Sequence, residues 1–325
     1  MIADPIKISA CFSSGASSTD DHQYSAVTRA GQSVIMSIYK TKLGNHSRLI
    51  TITWCRNHLL LHGLSMCISN LSNDADDSAS SESADQYNCK VELKPWYFWR
   101  KQGAKHFTIN DGKKVDIYWD LKSAKFNNNE TEPSSEYYVA LVYENEVVLL
   151  VGDMKNDAYK KTGCRPSLIE PILVSKKEHI FGKKKFIVKA KLHEKGRFHN
   201  IMVECDNTTE SDIEMGVKID GKLMIHVKHL QWKFRGNESI YLNRLRLEVY
   251  WDVHDWLFSP GLRHALFIFK PFIPSNSIIG LSPLSLPSSL SLSTTPLSAQ
   301  SGSSESLLVD GLSQFCLFLY AWKVE

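Results

Sequence analysis

Two short stretches set carboxylates beside aromatic rings in nearly the same order: VDIYWDL at residues 115–121 and LEVYWDV at 247–253. Paired acids suit general acid–base work when their carboxyl groups lie roughly 5–9.5 Å apart, as in glycoside hydrolysis. On an extended strand Asp116 and Asp120 stand about 13 Å apart at ~3.3 Å per residue, so one strand cannot supply the pair. A carboxylate opposite them on a neighbouring strand would restore it; otherwise these acids form a solvated outer face.

Other chemistry-bearing residues resolve in the same way. DADDSASSESAD at 74–85 places Asp74, Asp76 and Ser78 at the first, third and fifth positions of a calcium loop. It has Ala79 where the sharp turn needs glycine and Asp85 where the bidentate glutamate belongs, so it reads as an acidic loop. Of the 12 histidines, His226 and His229 fall three apart on an expected strand and so point to opposite faces. His193 and His199 flank a Lys195-Gly196 turn across which they could meet, but two turn histidines need no metal. No serine elbow, metalloprotease, phosphate-loop or dinucleotide signature occurs, so the sequence supplies no catalytic, cofactor-binding or metal-ligating residue. The basic run KKEHIFGKKK, Lys176 to Lys185, is expected to be a solvated turn between strands, and a net charge of +3 spread along the chain makes nucleic acid an unexpected partner.

The aromatic segment WYFW offers a different kind of site. Trp96 and Phe98 share one face of an extended chain, Tyr97 and Trp99 the other, whereas the corresponding later segment QWKFR has Lys233 and Arg235 at the second set of positions. Tyr97 and Trp99 either pack between elements or form a binding surface for a protein partner or a hydrophobic small molecule.

What must position these residues is a β-rich frame. The chain has 325 residues, 43% hydrophobic and 22% charged, with 14 Phe, 12 Tyr and 8 Trp, enough to build a large core without staples. Seven cysteines (Cys11, Cys55, Cys67, Cys89, Cys164, Cys205, Cys316) show no paired spacing, which implies free thiols and a reducing compartment. Residues 1–25 lack a basic start with an apolar stretch, and the apolar run FCLFLYAW is far shorter than a membrane helix. An intracellular, non-secreted protein is expected, in which the sequons at Asn45, Asn70, Asn129, Asn207 and Asn237 carry no glycan.

Period-two alternation runs through almost every ordered segment, and no stretch shows a 3.6-residue stripe. VIMSIYKTKLGNHSRLITITWC (34–55) parallels IVKAKLHEKGRFHNIMVEC (187–205), and VELKPWYFWR (91–100) parallels VKHLQWKFR (227–235). The Tyr-Trp-Asp strand follows in both. A Glu144-Asn145 turn then joins two apolar strands in YYVALVYENEVVLLVGD. HALFIFK (264–270) and FCLFLYAWK (315–323) would be the later equivalents, separated by a Ser/Leu/Pro-rich insertion in which Ser282-Pro283 and Thr295-Pro296 are candidate phosphorylation sites. The acidic stretch 71–87 stands where the second half has a tight Asp220-Gly221 turn.

Beyond these patterns, ITITWC (50–55), CKVELKPWYFWRKQG (89–103), VDIYWDLKSAKF (115–126), HVKHLQWKFRGNESI (226–240), EVYWDVHDWLFSP (248–260) and FCLFLYAWK resemble a plant family, domain of unknown function eight hundred and sixty-eight. The resemblance implies a non-secreted plant protein and brings no active-site residues with it.

The expectation is therefore an all-β protein of two related antiparallel modules, sandwich or barrel-like, from an internal duplication. A disordered segment 1–25 precedes a first module at 26–160 with the acidic loop 71–87. The second module, 161–325, carries the flexible Ser/Pro-rich loop 271–312 and a final strand at 315–323. Its function is expected to be non-catalytic binding of a protein partner. The alternative is a carrier holding a hydrophobic small molecule in a barrel cavity, and an enzyme without a familiar signature is the third reading.

Overall fold

A computed structural model of the protein describes residues 32–56, 62–70, 87–93, 101–109, 112–127, 130–193, 196–209, 212–243, 245–272 and 315–323. Residues 1–25, the acidic loop up to residue 86, the Ser/Pro-rich loop from 273, and Tyr97 and Trp99 lie outside them.

Four strands open the described chain, β1 (Ser33–Leu43), β2 (His46–Arg56), β3 (His62–Asn70) and β4 (Tyr87–Leu93). A second run follows: β5 (Gln102–Thr108), β6 (Lys114–Asp120), β7 (Tyr138–Tyr143) and β8 (Glu146–Gly152), then a helix α1 (Lys155–Thr162) and the two-residue β9 (Arg165–Pro166). After β10 (Ile172–Phe181) come β11 (Lys185–Lys191), β12 (Phe198–Thr209), β13 (Asp212–Ile219) and β14 (Lys222–Val227). The chain continues with β15 (Arg235–Leu242), β16 (Leu245–Asp252), helix α2 (His254–Phe258), β17 (His264–Phe272) and β18 (Cys316–Trp322). The all-β expectation holds.

The strands form three sheets. A nine-stranded sheet runs β15-β16-β17-β18-β10-β1-β2-β3-β4, a four-stranded one β11-β12-β13-β14, and a five-stranded one β5-β6-β7-β8-β9. None closes into a barrel, which corrects the barrel-like alternative. β10 is the link between the halves, antiparallel to β1 and parallel to β18. Its polar centre, Lys176-Lys177-Glu178, hides this role from a sequence reading. The basic run is thus only partly a solvated turn: Lys183, Lys184 and Lys185 are exposed, but Lys176 and Glu178 sit in the central strand with side chains 14% and 10% exposed.

Alternation places the apolar residues as expected. Ile50, Ile52 and Trp54 of β2 and Leu64, Met66 and Ile68 of β3 meet Val115, Ile117, Val139 and Leu141 in a first core. Phe186, Val188, Ile201, Val203, Met215 and Val217 meet Leu247, Val249, Phe267, Phe269, Leu317 and Leu319 in a second. The expected tight turns form with positive φ at Glu144 (47°) and Asn145 (62°), and at Asp220 (50°) and Gly221 (81°), the twist that suits two-residue hairpins. The two helices carry no sequence signature, because eight and five residues are too few to show a stripe. α1 earns its place by laying Ala158 on Tyr138, Ala140, Val142 and Val147, the far side of β7 and β8.

The Tyr-Trp-Asp strands do the same structural work twice. Trp119 faces Gly103 across the β5–β6 ladder and Trp251 faces Gly236 across β15–β16. A Cβ on either glycine would fall 2.6 Å or 2.3 Å from the indole Cζ2, so each ring lies flat over a bare backbone. The closing acids act as turn residues: Asp120 accepts from the Lys122 N–H and Asp252 from the His254 N–H, both at 3.1 Å.

Candidate binding surface and cleft

The acids of the opening motifs find partners other than acids. Asp116 lies 2.6 Å from the His106 ring directly opposite it, Asp252 accepts from Arg235 at 2.8 Å, and Glu248 accepts from the Tyr250 hydroxyl at 2.9 Å. These are cross-strand and same-face contacts on a partly solvated surface, and none brings two carboxylates to acid–base distance. His226 lies on β14, 2.8 Å from Glu214, but His229 stands beyond the strand end with φ 55°, which corrects their placement on one strand. His199 is buried, and its Nδ1 is 2.8 Å from Asp220. That hydrogen bond, the Asn200 N–H and Arg197 together hold the Asp220 carboxyl below the usual carboxylate range. Among the described residues no group of three or more His, Cys, Asp or Glu is placed to hold a metal.

The strongest binding features lie in the second half. On β11–β14 the inward residues fill the second core, which leaves Lys185, Ile187, Lys189 and Lys191 of β11 on the outer face. Register carries this face across the sheet: Ile187 opposite Met202, Met202 opposite Lys218, Lys218 opposite Leu223. Phe198 stands opposite Lys191, with the Lys189 ammonium 5.4 Å from its ring centre. Ile187, Phe198 and Leu223 are 60%, 58% and 48% exposed, a concentration of large apolar side chains that a solvated sheet face does not require. Glu204 is bridged to both Lys185 and Lys218, while Lys189 and Lys191 meet no carboxylate among the described residues. The face is apolar at its centre and cationic along its β11 edge, with Asp206 and Glu214 on the same row at the far end of β12 and β13.

Beside it opens a cleft of about 270 Å³, lined by Gly182, Lys183, Lys184, Cys205, Ile213, Trp256, Leu257, Trp322 and Lys323. Gly182, at φ 71°, turns β10 into the approach to β11, and its N–H donates to the Trp322 carbonyl at 3.0 Å. The Cys205 N–H donates to the Lys184 carbonyl at 3.0 Å, and the Lys323 N–H to Arg263 at 2.8 Å, so backbone bonds fix the lysine-bearing walls. α2 brings Trp256 and Leu257. Burial pushes the Cys205 thiol up to about 12, which keeps it neutral and a poor nucleophile. Three ammonium groups, an apolar wall and no carboxylate or imidazole in the lining suit binding rather than proton transfer.

A third feature is buried. Lys176 lies 3.3 Å from Glu132 and 3.4 Å from Glu178. Burial opposes its charge, yet the two carboxylates outweigh burial and hold the ammonium above the usual lysine range. Burial and Glu132 push the neighbouring Tyr39 hydroxyl up to about 12. This cluster ties the segment before β7 to the central strand: one ammonium is shared by two carboxylates, and burial, with Glu132 adding to it against the pull of Lys176, pushes the Glu178 carboxyl above the usual carboxylate range.

Sequence reasoning missed both the outer face and the cleft. The signal for the face was present in KFIVKAK, where Ile187 alternates with lysines instead of sharing the side of Phe186 and Val188. The cleft joins residues from five separate segments and has no local signature.

The family model described as plant protein of unknown function (DUF868) matches residues 30–323. No curated protein and no solved structure matches the chain. No helix among the described residues is long and apolar enough to cross a membrane.

Proposed function

The chain belongs to that plant family, and we propose that it is a non-catalytic binding protein which holds an acidic, apolar-containing segment of a protein partner on the outer face of the β11–β14 sheet. The observation that carries this reading is the exposed row formed by Ile187, Phe198 and Leu223 among Lys185, Lys189, Lys191 and Lys218. Large apolar side chains supply the contact area, and unmatched lysines select carboxylates on the partner's rim. Tyr97 and Trp99 remain a second candidate surface outside the described residues. A carrier built on a closed barrel has no support in these sheets, since both cores are filled with interdigitated side chains.

We also propose that residues 26–160 and 161–325 derive from one duplicated unit. Support comes from two four-strand meanders in each half, one large core between sheets in each half, and the repeated Gly103–Trp119 and Gly236–Trp251 pairs. α1 and β10 are the connection between them.

The binding reading is tested with a photo-crosslinking amino acid in place of Ile187, irradiated in plant extract, followed by titration of the purified adduct partner. The expected result is an acidic protein whose affinity falls about tenfold or more with Phe198→Ala or with Lys189→Glu plus Lys191→Glu, and weakens with salt. Crosslinking to nucleic acid or to a second copy of the chain, or affinity unchanged in both variants, would refute it.

A further inference from the structure

The cleft beside the sheet face has a composition of its own. Lys183, Lys184 and Lys323 line it together with Cys205, Ile213, Trp256, Leu257 and Trp322, and no acid lines it. Lys183 and Lys184 are exposed and have no ion-pair partner among the described residues, so their charge is available to a ligand. Of the acids nearby, Glu204 is bridged to Lys185 and Lys218 and Asp255 lies 2.9 Å from His254, while Asp206, next to Cys205 in sequence, is outside the lining. At about 270 Å³ the space is below that of drug-sized sites, and it matches one ring with a short acidic group.

We propose that this cleft is a second, separate binding site, for a small aromatic carboxylate, with the ring against Trp256, Leu257 and Ile213 and the acid among Lys183, Lys184 and Lys323. Apolar walls orient the body of such a ligand, and the ammonium groups discriminate its charge. A free acid and the carboxyl end of a peptide bearing a terminal aromatic residue share this chemistry.

Calorimetric titration of the full chain tests the site, with benzoate for a free acid and N-acetylphenylalanine for a chain end. Benzamide is the uncharged control and inorganic phosphate the ringless one. At least one acid should bind, with benzamide and phosphate each about tenfold weaker or worse; whichever acid binds more tightly assigns the source. Lys183→Gln with Lys184→Gln should weaken it about tenfold with an unchanged melting temperature, whereas arginine at both positions should retain it. Ile187→Lys should leave it unaffected, which separates this site from the sheet face. No binding of either acid, equal binding of benzamide or phosphate, or undiminished affinity in the glutamine variant would overturn the proposal.

Discussion

His179 should make the fold acid-sensitive well above the carboxylate range. It lies on β10, 1% exposed, stacked on Tyr320 with ring centres 4.5 Å apart. The Trp322 indole N–H donates to its Nδ1 at 3.0 Å, and an indole nitrogen can only donate. Neutral His179 therefore carries its proton on Nε2, which is buried without a partner among the described residues. A second proton would have to enter at Nδ1, breaking the Trp322 bond. Burial, followed by the cationic neighbours His264 and Lys177, holds the imidazole down to about 4, from an ordinary value of 6.5. The unfolded chain takes up the proton as pH falls through 6.5 while the native state refuses it until about 4. Stability from this group is thus complete above pH 6.5 and lost as pH falls toward 4, roughly 2–3 kcal/mol of it by pH 4.5 at ~1.4 kcal/mol per pKa unit. The assay is guanidinium unfolding at pH 7.5 and 4.5 for the wild type and His179→Gln, whose amide oxygen can still accept from Trp322. The wild type should lose about 2–3 kcal/mol more than the variant over this range. Equal losses would show that His179 takes its proton in the native state and that the bond and burial do not govern it.

Lys176→Ala should cost about 3–5 kcal/mol in chemical denaturation, because it strands Glu178 and Glu132 without their cation. Lys176→Met combined with Glu178→Leu should recover most of that; a double variant no more stable than the single one would argue against a stranded Glu178 as the source of the loss. Gly103→Ala and Gly236→Ala should each destabilise by about 1–3 kcal/mol, since the added methyl drives into Trp119 or Trp251. Matching shifts in melting temperature for the two would fit their equivalence, and a neutral result at either would contradict the stacked geometry.

The strands, their facing and most turns were legible because each is a local property. Val115, Ile117, Trp119 and Leu121 announce their shared face by alternation alone, and Asp220-Gly221 announces its turn by tolerance of positive φ. The long-range return of residues 315–323 to pair with β17 was also legible, through the parallel with β7 and β8. β10 escaped because a central strand is ordinarily apolar, and here the buried Lys176 charge is offset by Glu178 beside it and by Glu132, a residue far away in sequence. The candidate site escaped for a related reason: exposure of Ile187 and Phe198 depends on no described element covering the outer face of β11–β14, which no local pattern encodes. The expected aromatic surface at Tyr97 and Trp99 drew on composition, which identifies sticky side chains without locating them.

The parallel pairing of β18 with β10 has a consequence for how the molecule assembles. Residues 316–322 are the last described strand yet fill a slot in mid-sheet, between β17 and β10. Until they are in place, β10 and β17 present raw hydrogen-bonding edges to each other's vacancy, open to any stray strand. A nascent chain halted before residue 316 would hold β1–β4 in order but leave the seam between the halves unzipped, so completion of the seam is a late and cooperative event.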